Sequence, residues 1–60
     1  MSEKETLQKE LQSLAHDLVY LADTLEGAEG SFRTQIARDY KTTSKAYFKA
    51  QEKLRRLNNE

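Results

Sequence analysis

With sixty residues, no cysteine, no proline and one histidine, this chain can form at most one small domain, without a disulfide framework or a thiolate metal site. A domain this short buries only about 60% of the surface its unfolded chain exposes, so its fold needs a supplement, and oligomerisation is the one left. The net charge of zero conceals a split: residues 1–30 hold two lysines and seven acids, a balance of −5, and residues 31–60 hold eight Lys/Arg and three acids, a balance of +5.

Halves of opposite sign attract when the chain folds back on itself. Leu, Ala, Glu, Lys, Gln and Arg dominate, which is helix-forming composition. No apolar run approaches the roughly 18 residues of a membrane span, and no signal peptide is visible, so a cytoplasmic protein is expected.

The first helix is signalled at Ser2-Glu3-Lys4-Glu5, an S-x-x-E capping box. Glu3 and Glu5 also suit the positive end of the helix dipole. Leu7, Leu11, Leu14, Leu18, Leu21 and Leu25 follow, alternately four and three residues apart. That spacing is a heptad seam, with Leu7, Leu14 and Leu21 at d and Leu11, Leu18 and Leu25 at a. The pattern predicts a helix over about 3–26.

Gly27-Ala28-Glu29-Gly30 predicts a turn over 27–31, with Gly27 as the left-handed cap of the first helix and Ser31 as N-cap of the second. So short a turn makes the helices antiparallel neighbours. The second helix is predicted over about 32–57. Its seam is Ile36, Tyr40, Thr43, Tyr47, Ala50, Leu54 and Leu57, with Tyr40, Tyr47 and Leu54 at a. Setting a against d pairs Leu25 with Ile36, Leu21 with Tyr40, Leu18 with Thr43, Leu14 with Tyr47, Leu11 with Ala50 and Leu7 with Leu54. Large side chains then face small ones in several layers. Phe32 is expected to close the core beside Leu25, and Thr42-Thr43-Ser44 is the weakest helix-forming stretch. The expected fold is all-α: residues 1–60 form one antiparallel helical hairpin that dimerises into a four-helix bundle.

The positions beside the seam differ between its two sides. On one side the e positions are Gln8, Ala15 and Ala22 in the first helix and Ala37, Ser44 and Gln51 in the second, with Val19 and Phe48 next to them at b. This small, uncharged strip with two apolar edges is read as an oligomer or partner interface formed by Ala15, Val19, Ala22, Ala37, Ser44 and Phe48. The other side carries Glu10, Asp17, Asp39 and Lys53, with Glu10 close enough to Lys53 to pair. The outer face of the second helix is a basic stripe of Arg38, Lys41, Lys45, Lys49, Arg55 and Arg56, broken by Glu52 alone. Such a stripe suits an anionic partner, or serves as a solvated face. Acids nearby could neutralise Arg38, Lys41 and Lys45.

Catalytic equipment is missing. The sequence has no Cys, no Ser-His-Asp set, no phosphate-cradling Gly-rich loop and no H-E-x-x-H pattern, and a two-helix hairpin has little room for a water-poor site. His16 falls on an outer position, so no metal and no cofactor are expected. The chain is read as a non-enzymatic regulatory or adaptor protein that binds itself and a further protein. In size, hairpin layout and heptad pattern it also resembles the Rop family of plasmid copy-number regulators, dimers of helical hairpins that grip paired RNA loops. That resemblance implies an alternative, an RNA- or DNA-binding bundle using the basic outer face. It transfers no residue role.

Overall fold

The computed structural model is a hairpin of two helices, α1 (Glu3–Gly27) and α2 (Gly30–Asn59). It describes residues 2–59, so Met1 and Glu60 of the expected domain lie outside the described residues. At the start of α1 the Ser2 hydroxyl oxygen accepts a hydrogen bond from the Glu5 backbone N–H at 3.2 Å. The Ser2 carbonyl accepts from both the backbone N–H and the hydroxyl of Thr6, each at 3.2 Å. The reciprocal half of the capping box, from Ser2 N–H to the Glu5 carboxylate, is not made, and that exposed carboxylate faces water.

The reversal is tighter than predicted and uses the other glycine. Gly27 is helical, and the only positive φ among the described residues is +63° at Gly30. The end of α1 needs no left-handed residue, because Ala28 turns extended at φ −85°, ψ 148° while its N–H still reaches the Leu25 carbonyl at 3.2 Å. The change of direction is therefore deferred to Gly30, where a side chain would be strained. Only residues 28 and 29 lie between the helices. Ser31 is consequently inside α2 rather than its cap, and the Glu29 carbonyl takes the Arg33 N–H at 3.4 Å.

Phe32 does not close the core. Four residues before Ile36, it falls at g beside the seam and remains 52% exposed, while Ala28, 6% exposed, closes that end of the core. The other buried residues are Ile36, Leu7 and Ala50. The middle of the seam is looser. Leu11, Leu14, Leu18, Leu21, Leu25, Thr43, Tyr47, Leu54 and Leu57 are half-buried, and Tyr40 reaches solvent. Thr24 and Thr42 each turn their hydroxyl back to the helix, onto the Tyr20 and Arg38 carbonyls at 2.8 and 3.1 Å. Such back-bonding satisfies the hydroxyl within the helix, and the Thr-rich middle of α2 is helical despite its low propensity.

The dimensions explain the loose seam. The molecule measures 46 × 15 × 13 Å. A 30-residue helix is about 45 Å long and a helix with its side chains about 10–12 Å across. The fold is therefore one helix thick. Stable domains pack at least two layers around a core, and a single layer can cover only the stripe between its helices. Every seam leucine except Leu7 stays only half-buried for that reason.

Candidate docking faces

A layer one helix thick has two broad faces, and they differ chemically. On the first, Ala15 and Ser44 are half-buried, while Ala22, Ala37, Gln8 and Gln51 are exposed. Val19 and Phe48 stand out from this face at 70% and 65% exposure. The Phe48 ring meets the seam ring of Tyr47 edge to face, with centroids 5.9 Å apart. It borders an open groove of 560 Å³ formed with Gln51, Glu52, Leu54, Arg55 and Asn58. Val19 borders a second groove, with Tyr20, Ala22, Asp23 and Glu26. The sequence reading did not anticipate Asn58 or Leu54 here. Extending the pattern one heptad past Gln51 would have placed Asn58 on this face.

The second face has grooves that bridge the helices. One of 300 Å³ is lined by Asp17, Tyr20 and Leu21 from α1 and Asp39, Thr42 and Thr43 from α2. Another is lined by Leu7 and Glu10 from α1 and Ala46, Lys49, Ala50 and Lys53 from α2. Both sets join residues at the heights set by the seam pairing. Glu10 and Lys53 share the second groove but form no ion pair with each other, since both side chains are exposed and gain little by pairing.

The outer edge of α2 carries Arg38, Lys41, Lys45, Lys49, Arg55 and Arg56, all exposed. Arg56 binds Glu52 one turn earlier at 3.1 Å, so the single acid of the stripe is engaged. The pairing with nearby acids open to Arg38, Lys41 and Lys45 is not made among the described residues. Among the described residues, these three, Lys49 and Arg55 have no carboxylate partner. Of the α1 acids, Asp17 and Glu10 line the grooves of the second face, Glu10 in the same groove as Lys49, yet neither pairs with the stripe. The described residues contain no cluster of three metal-ligating side chains and no helix long and apolar enough to cross a membrane.

No protein-family model matches the sequence. No curated protein and no solved structure matches it significantly.

Proposed function

We propose that this chain is a non-enzymatic regulatory or adaptor protein that works by protein–protein binding, as a homodimer assembled through the face bearing Val19 and Phe48. The single-layer form carries this reading. The chain exposes 4978 Å². A compact monomer of 7.0 kDa exposes about 4,000 Å² by the usual surface scaling. The excess of about 900 Å² is close to the roughly 800 Å² that each partner buries in a standard interface. A second layer over the Ala15–Ala22 and Ala37–Ser44 strip would cover both large apolar side chains and the open side of the seam, giving a four-helix bundle.

The test is solution mass by light scattering at micromolar concentration. The wild type is expected at twice the chain mass and the Val19→Glu/Phe48→Glu variant at the chain mass. A wild type that stays monomeric throughout would remove the dimer.

A second reading is supported by the unpartnered cations. Arg38, Lys41, Lys45, Lys49 and Arg55 run along one edge of α2 with no carboxylate partner among the described residues, an arrangement suited to a polyanion such as RNA or DNA. It requires binding to a short RNA duplex that falls steeply with salt and is lost in Lys45→Glu or Lys49→Glu. Binding insensitive to salt and to both changes would eliminate it.

A further inference from the structure

Two hairpins can stack face to face about a two-fold axis in two ways. With the axis parallel to the helices, α1 of one copy lies beside α2 of the other at the same height. With the axis crossing the helices, α1 lies beside α1 and α2 beside α2. Building on the homodimer proposed above, we infer that the chain assembles in the first way, each acidic α1 held between two basic α2 helices.

The argument rests on the two columns that would meet. In α1 the outer b column reads Glu5, Gln12, Val19 and Glu26, and the inner e column Gln8, Ala15 and Ala22. These hold acids and no base. In α2 the b column reads Thr34, Lys41, Phe48 and Arg55, and the e column Ala37, Ser44, Gln51 and Asn58. These hold bases and no acid. Each flank therefore has a single sign. Stacking like on like would line one seam with Lys41 and Arg55 from both copies and the other with Glu5 and Glu26 from both. Stacking unlike helices removes both repulsions.

The heights agree. The seam pairing and the two bridging grooves put Glu5 level with Arg55, Ala15 with Ser44, Ala22 with Ala37 and Gln8 with Gln51. An axis parallel to the helices leaves heights unchanged, so the same residues meet between copies. Glu5 comes beside the second copy's Arg55. Ala22 meets the second copy's Ala37 and Ala15 its Ser44, small against small, which lets the backbones approach. Gln8 meets Gln51, and two amides can hydrogen-bond each other. Phe48 lies over the aliphatic part of Gln12, and Val19 over the stem of Lys41.

The absence of cysteine makes this directly testable. Ala22→Cys and Ala37→Cys are made as separate chains; both positions are exposed, so the larger atom fits. Each is oxidised alone and after mixing and subunit exchange, since a disulfide needs Cα atoms within about 7 Å. A covalent dimer is expected from the mixture and not from either chain alone. Ala15→Cys is the counter-probe, because α1–α1 stacking with full overlap sets Ala15 against itself. Covalent dimer from Ala15→Cys alone overturns the arrangement. So does a chain that has dimer mass but gives no cross-link in the mixture. A chain of monomer mass at every concentration fails the homodimer itself, a result that light scattering separates from the other two.

Discussion

The rings of Tyr47 and Phe48 meet at 78° with centroids 5.9 Å apart, although one belongs to the seam and the other to the exposed face. Neighbouring residues in a helix point about 100° apart, so the pair forms a corner where core and docking face join. Edge-to-face contact of this kind adds about 0.5–1.5 kcal/mol beyond area burial. Phe48 is thereby oriented before any partner arrives.

The corner predicts an asymmetry between two truncations. Tyr47→Ala removes a seam layer and is expected to lower the hairpin's own stability and its dimerisation together. Phe48→Ala is expected to leave helix content at high concentration unchanged while weakening association roughly 100- to 10,000-fold, since the two-fold dimer loses about 1.5–3 kcal/mol of apolar burial from each copy. Circular dichroism and sedimentation on the same samples separate the two. Unchanged association in Phe48→Ala would mean Phe48 is an ordinary surface residue.

The two glycines are expected to respond oppositely to alanine. Gly27 is helical, and an added Cβ would meet nothing within 4 Å. Gly27→Ala should stabilise the fold by about 0.4–1 kcal/mol. Gly30 has the same open surroundings but sits at φ +63°. Gly30→Ala should cost about 1 kcal/mol or more, through backbone strain alone. Urea midpoints at fixed concentration decide, and a loss of stability from Gly27→Ala would refute the position of the turn.

Removing the Ser2 hydroxyl is expected to cost about 1 kcal/mol, because the Glu5 N–H loses its partner. Thermal unfolding should show Ser2→Ala with a midpoint lowered by roughly 4–8 °C. Ser2→Asp should preserve most of the stability, as aspartate also caps.

Glu52 offers a test in which stability and binding part company. Its bond to Arg56 is exposed and lies one turn apart on a single helix, a pairing worth at most about 0.5 kcal/mol. Glu52→Gln should barely move the unfolding midpoint. It frees Arg56 and removes the one acid of the stripe, so affinity for a polyanion such as heparin should rise and its salt dependence steepen. Unchanged polyanion affinity in Glu52→Gln would mark the stripe as a solvated face.

The hairpin was legible in the leucine spacing because a four-three repeat admits few other structures, and the two glycines bounded where the chain could reverse. Which glycine took the left-handed backbone was not legible. Gly27 and Gly30 are chemically identical, and the choice depends on Ala28 going extended while still bonding Leu25. Phe32 was misplaced although the register held the answer, since four residues before Ile36 is a g position beside the seam. The exposure of Val19 and Phe48 followed from the heptad wheel. The lack of a carboxylate partner for Arg38, Lys41 and Lys45 among the described residues did not, because a linear charge count does not say which side chains come within reach of one another.

Among the described residues no side chain is wholly shielded from water, and this has a consequence. If the second layer is another copy, then how much of this protein is folded depends on how much of it is present, since mass action links the two. Dilution would then act as an off-switch with no ligand or modification, and a lesion on the docking strip would first show itself as faster turnover of the polypeptide.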